Sequence, residues 1–172
     1  SPLTAIDHES YGIWLDIAGV EHLFGGARAL LADCATRLHR SHLRAVIAAA
    51  PTCGAAWALA HYGQASQRVI TAPKSAVNHP NTTAYMISRA RLRRHLAPLP
   101  IAALRIDTDT ANYMQRTGLR VIEDIIGLAR APLAARFGTD VLLCLDQALG
   151  DEDEIFTPVS PPQPRYVCHQ FA

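Results

Sequence analysis

Hydrophobic positions along the chain follow two regimes. In the first, short apolar runs alternate with longer amphipathic stretches. Tyr11-Gly12-Ile13-Trp14-Leu15-Asp16-Ile17 predicts a strand of a mostly buried sheet. Phe24-Gly25-Gly26 predicts a turn, and Ala27, Leu30, Leu31, Cys34 and Leu38 then recur at helical spacing. Residues 43–50 predict a second strand with β-branched residues at its centre. After Pro51 an alanine-rich helix is expected from Cys53 to Tyr62, closed by Gly63. Arg68-Val69-Ile70-Thr71 predicts a short third strand. The order β-α-β-α-β implies helices layered on a sheet.

The second regime is helical. Ala72-Pro73 and His79-Pro80-Asn81 mark a loop. Thr82 or Thr83 stands where it could cap a helix reaching Leu96, and Pro98 and Pro100 make a boundary. Short helices are expected over 110–117, 121–128, 133–137 (behind Pro132, in a first turn that tolerates proline) and 139–149. Glycines close most of them. The acidic run 151–154 and Pro158, Pro161, Pro162 and Pro164 predict a linker or extended arm with no core of its own. The expected fold class is thus α+β or α/β: an α/β part over 1–98, a small all-α subdomain over 99–150, and an acidic, proline-rich arm over 151–172.

Composition narrows this. With 172 residues, 49% hydrophobic and 18% charged, the chain fits one ordinary domain or two small ones, and not a disordered segment. No apolar run approaches the ~18 residues that span a bilayer, so no membrane role is expected. Ser1-Pro2-Leu3-Thr4 carries neither the basic nor the apolar region of a secretory signal, and the missing initiator Met is expected of a processed chain or a piece of a longer one. Cys34, Cys53 and Cys144 sit among apolar neighbours, as buried free thiols do, and Cys168-His169 has no partner set for zinc. Free cysteines without a secretion signal point to a reducing cytoplasm.

Charge changes the picture more. The net value is only +1, but residues 86–138 hold nine arginines against four acids, and residues 151–172 hold four acids against one arginine. An arginine-rich block suggests an anionic partner, because the guanidinium fork matches phosphate. A solvated helix face accounts for the same residues. Leu104, Ala111, Leu119, Ile122, Ile125 and Leu128, with Gly118 between two predicted helices, have the pattern of a helix-hairpin-helix module. Such a module holds a DNA backbone through amides at a helix start and nearby basic side chains, without reading sequence. A plain helical subdomain is the other reading, and Asp107 and Asp109 oppose a phosphate there. The candidate DNA contacts are Arg89, Arg91, Arg93 and Arg94 on the predicted 82–96 helix, and Thr108, Thr110, Arg116 and Arg120 on the hairpin. On one helix, Arg89 and Arg93 would share a face and Arg91 and Arg94 the opposite one. Weak, sequence-independent binding to duplex or primer–template DNA is expected.

Catalytic signals are absent. Phe24-Gly25-Gly26 lacks both the Lys-Ser/Thr of a phosphate loop and the third glycine of a dinucleotide fingerprint. Asp7, Glu9 and Asp16 do not show the convergence that two-metal chemistry needs. The histidines form no Ser/His/Asp or Cys/His group. No catalytic residue, metal site or cofactor is therefore expected.

The block from Tyr11 to Gly26, with Leu15-Asp16-Ile17 and His22-Leu23-Phe24-Gly25-Gly26, resembles the palm segment of Y-family DNA polymerases, most nearly those of the ImuB type. The likeness continues through Ala55-Ala56-Trp57-Ala58-Leu59-Ala60-His61-Tyr62-Gly63, Leu99-Pro100-Ile101, Arg136-Phe137-Gly138 and Leu145-Asp146-Gln147-Ala148-Leu149-Gly150, from about residue 5 to about residue 160. The resemblance implies a partial palm followed by a thumb. In active members an Asp-Glu pair before the palm strand holds the metals. Aligned on Leu15-Asp16, that pair falls on Tyr11 and Gly12, neither of which offers a carboxylate. The stretch near Pro51 lacks the lysines that hold a triphosphate, and the first metal-binding Asp would lie upstream of Ser1. The resemblance thus implies a non-catalytic polymerase relative in bacterial mutagenic repair. Its implied partners are a RecA-like accessory protein, an error-prone polymerase and the sliding clamp, with the clamp motif expected beyond Ala172. A working lesion-bypass polymerase and a pure protein–protein adaptor remain as alternatives.

Overall fold

The computed structural model describes residues 3–8, 10–63, 82–155 and 157–159. The chain is mixed α/β and divides into two compact units, Ser1–Val20 with Ile155–Ala172, and Glu21–Glu154.

The first unit is built on a hairpin. Strands β1 (Thr4–Asp7) and β2 (Gly12–Leu15) pair antiparallel, from Thr4 opposite Leu15 to Asp7 opposite Gly12. Asp7 staples the turn: one carboxylate oxygen accepts the Ser10 amide at 3.1 Å and the other accepts the Ser10 hydroxyl. The Val159 amide donates to the Thr4 carbonyl. The strand is shorter than its apolar run suggested, and it is not mostly buried: Ile13 is 70% exposed and Leu15 51%. Side chains alternate across a two-stranded hairpin, so a run that is apolar on both faces leaves one face in solvent.

The second unit opens with a 3₁₀ turn, Glu21–Phe24, and helix α1 (Ala27–Arg40). Strand β3 (Ala45–Ala49) pairs in parallel with β4 (Thr82–Met86), Ala45 opposite Thr82 and Ala49 opposite Met86. Helix α1 packs on this pair, and α2 (Cys53–Tyr62) packs on β3. The β4 strand corrects the expected 82–96 helix. Thr82, Thr83 and Tyr85 favour an extended backbone, and pairing with β3 buries Ala84 and Tyr85. The expected strand at 68–71 lies outside the described residues.

After β4 come a 3₁₀ turn (Arg89–Arg91), α3 (Leu92–Leu96), a second 3₁₀ turn (Ile101–Leu104), α4 (Thr108–Arg116), α5 (Glu123–Ile126), α6 (Arg130–Phe137) and α7 (Thr139–Leu149). The expected 121–128 helix contracts to α5 because Val121 bridges to Pro100. One core joins the sheet side to these helices: Leu59, Leu96, Leu99, Ile101, Met114, Ile122, Ile125 and Val141 are almost wholly buried in it. Two details fix α2 against α7. The Thr52 hydroxyl caps α2 by accepting the Ala55 amide and donates to the Ala148 carbonyl at 2.9 Å. Gly54 lies so close to α7 that a Cβ there would sit 3.0 Å from the Ala148 Cα.

A candidate nucleic-acid interface on the helical segment

The arginine block does not lie on one helix. Arg89 and Arg91 belong to the 3₁₀ turn, and only Arg93 and Arg94 lie within α3. The expected pairing of Arg89 with Arg93 on one helical face therefore does not hold. Arg89 has a structural task instead. Its guanidinium donates to the Gly150 carbonyl at 3.3 Å, at the C-terminal end of α7, where unpaired carbonyls concentrate negative charge. Arg91, Arg93 and Arg94 are exposed and make no ion pair among the described residues. Arg91 and Arg94 act together on His95. Burial first, then the charges of these two arginines, hold its imidazole below the ordinary range.

A short antiparallel bridge connects this segment to the hairpin. The Ile101 amide donates to the Arg120 carbonyl at 3.0 Å, the Ile122 amide to Leu99 at 2.9 Å, and the Glu123 amide to Ala97 at 2.9 Å. The end of α3 is thereby tied to the loop that carries Arg120. That loop follows α4 through Gly118, at φ 96°, a conformation that glycine adopts without strain after a helix. Arg116 and Arg120 are both exposed and without an ion pair among the described residues.

The amides at the two hairpin helix starts are already occupied. Asp107 caps α4. It accepts the Thr110 amide at 2.8 Å, and the Thr110 hydroxyl and amide together hold its carboxyl below the ordinary range. Asp124 accepts the Arg120 amide at 2.7 Å and the Val121 amide at 2.9 Å through one oxygen. Those amides, Val121 first, and then the Arg120 charge hold its carboxyl low. Carboxylates of the chain itself thus take amides at the start of α4 and just before α5, amides that an anion would otherwise use. Thr108 is exposed at the first turn of α4, while the donors of Thr110 are committed to Asp107. Asp124 does not stand out from sequence. The available signal is an acid in the first turn of a helix, the ordinary place for a self-made cap.

The other cations of the helical segment are partly neutralised. Arg105 pairs with Glu154 at 2.6 Å, so the end of the acidic run is tied to the helical segment. Arg130 grips Asp146 with both guanidinium nitrogens. Cys34 and Cys144 are free thiols, and these two and Cys53 are half-buried; Cys168 lies outside the described residues. Burial pushes the Cys144 thiol up, against the pull of Arg105.

At the hairpin, Tyr11 stands in the turn at φ 55°, 97% exposed, and Gly12 begins β2. Asp7 holds Ser10, and Asp16 accepts the Ala18 amide at 2.9 Å. Both carboxylates are committed to local turns, and Glu9 lies outside the described residues. No group of three or more His, Cys, Asp and Glu is gathered among the described residues in a way that could hold a metal ion. No helix among them is long and apolar enough to cross a membrane.

The class that emerges is a mixed α/β segment whose helical part carries a bridged hairpin and exposed arginines, most of them without an ion pair among the described residues. No family model matches the chain. Protein ImuB of Caulobacter vibrioides strain NA1000 / CB15N is 40% identical to it over 164 residues, and so is Protein ImuB of strain ATCC 19089 / CIP 103742 / CB 15. Each match covers 94% of this chain and 32% of the relative, so the chain spans about a third of the length of these curated relatives. It is an ImuB-like segment.

Proposed function

We infer that this segment is a non-catalytic, DNA-contacting part of a protein of the bacterial DNA damage response, with an accessory role in translesion synthesis in the cytoplasm. The observation that carries the reading is the set of exposed arginines that make no ion pair among the described residues, Arg91, Arg93, Arg94 and Arg116, with Arg120 beside Asp124, on a chain ImuB-like over 94% of its length. Residues 1–98 would act as a palm-like part, 99–150 as a thumb-like part and 151–172 as an arm. Arginine side chains rather than hairpin amides would meet the phosphates, since Asp107 and Asp124 hold those amides. Arg89, anchored on Gly150, would position the block, and Thr108 would lie at its edge. The carboxylate pair of an active polymerase is replaced by Tyr11 and Gly12, which supports a role without nucleotide transfer. A RecA-like accessory protein, an error-prone polymerase and the sliding clamp are the partners proposed for the longer protein.

One observation favours a second reading, a protein–protein adaptor without DNA affinity: carboxylates occupy both hairpin helix starts. Charge reversal separates the two. Fluorescence anisotropy with duplexes of unrelated sequence, at about 50 mM salt, gives binding that Arg116→Glu with Arg120→Glu weakens equally for every sequence. Absence of binding at that salt leaves the adaptor reading.

A further inference from the structure

Tyr113, on α4, is 46% exposed although its ring is large and apolar. Phe137, at the end of α6, lies beside it, ring centroids 5.4 Å apart and tilted by 55°. Arg136 spans both rings, its guanidinium 5.6 Å from the Tyr113 centroid and 5.3 Å from that of Phe137, and its Nε donates to the phenol oxygen at 3.4 Å. No carboxylate pairs with Arg136 among the described residues. Arg116 follows Tyr113 by three positions on α4, on the same face and equally unneutralised. The acid on that face, Asp109, stands one turn toward the helix start.

This is the chemistry of an unpaired nucleotide: a part-exposed aromatic ring for the base and two guanidinium groups, without carboxylate partners among the described residues, for the phosphates on either side. We propose that Tyr113, Arg136 and Phe137, with Arg116, form a stacking platform for single-stranded DNA. The proposal rests on the DNA-contacting reading and adds a second kind of substrate to it. A base enters by stacking on Tyr113 while Arg136 swings from the rings toward the phosphate. An exposed cation–π contact holds an arginine only weakly, so that exchange is accessible. A protein contact is the competing use of an exposed Tyr and Arg. Two unneutralised cations at the ring favour the nucleic acid.

The test is anisotropy of labelled oligothymidylate and of a duplex, each titrated with the full 172-residue chain at about 50 mM salt. Tyr113→Ala is expected to weaken single-strand binding at least about fivefold, the low end for removal of one base–aromatic stack. Tyr113→Phe keeps the affinity, and neither variant moves duplex affinity by as much as the single-strand loss. Arg136→Ala lowers the single-strand salt slope by about 0.7. Thermal melts confirm that the variants are folded. Equal loss on both DNAs, no loss on either, or Tyr113→Phe behaving as Tyr113→Ala overturns the platform; no loss on either is also the outcome for a protein contact. Duplex binding without single-strand binding overturns it while the DNA-contacting reading stands. If neither DNA binds, both fail.

Discussion

Replacing Asp124 by Ala removes a carboxylate that satisfies two backbone amides with one oxygen, Arg120 at 2.7 Å and Val121 at 2.9 Å. Both groups are at the surface, so water takes over the released amides, and the full penalty of a buried unsatisfied donor does not apply. The cost is that of a missing helix cap, about 1 kcal/mol. For a chain of this size it lowers Tm by about 2–4 °C. In urea the midpoint falls while the slope is unchanged. The sign of the pH dependence follows from the depressed carboxyl. Its stabilisation is complete above the unfolded value of about 3.9 and fades as pH falls through the lower folded value. The gap between wild type and Asp124→Ala therefore closes below about pH 4. Asp124→Asn keeps an acceptor and loses only the charge, so it falls between the two. Duplex affinity rises in Asp124→Ala, because a like charge leaves the hairpin and two amides become available to a phosphate. Stability equal to wild type near pH 7, or weaker DNA binding, would refute the assignment of Asp124 as the stand-in for phosphate.

Gly54→Val puts side-chain atoms against the Ala148 backbone, where a Cβ alone meets the Cα at 3.0 Å, and α7 cannot yield as a flexible side chain would. A loss of about 1–3 kcal/mol in denaturant titration is expected, and unchanged stability contradicts the close approach of α2 and α7. Primer extension with magnesium, by this chain or a longer one that contains it, is expected to yield no product, because the resemblance to Y-family polymerases aligns Tyr11 and Gly12 with the metal-holding carboxylates of active members. Extension abolished by Asp7→Ala or Glu9→Ala would show that the strand has been aligned on the wrong residues.

Local signals carried α2 and α7. Thr52 before and Gly63 after the alanine run define α2 from chemistry within the segment, and Gly138 and Gly150 frame α7 in the same way. Strand β4 was hidden because its partner, β3, ends more than thirty residues earlier, with all of α2 between them. Thr82 suits a cap as well as a strand, and only the pairing decides. Val121 left its predicted helix for a bridge to Pro100, which no periodicity encodes. At the candidate site, the arginines were legible as a charge excess but their uses were not. Arg89 is spent on a carbonyl that lies 61 residues away in the chain, and Arg105 on Glu154. The platform at Tyr113 joins residues of α4 and α6 that only tertiary packing brings together.

The salt dependence of duplex binding tests the central claim most directly. If free arginines hold phosphates, log K falls linearly with log salt, with a slope near 0.9 per phosphate neutralised. Arg91→Ala, Arg93→Ala and Arg94→Ala together flatten that slope by about one unit for each phosphate no longer neutralised, while Arg37→Ala, whose partner is Asp33 at 2.7 Å, leaves it unchanged. A slope that the triple variant does not alter, or binding indifferent to salt, contradicts the account.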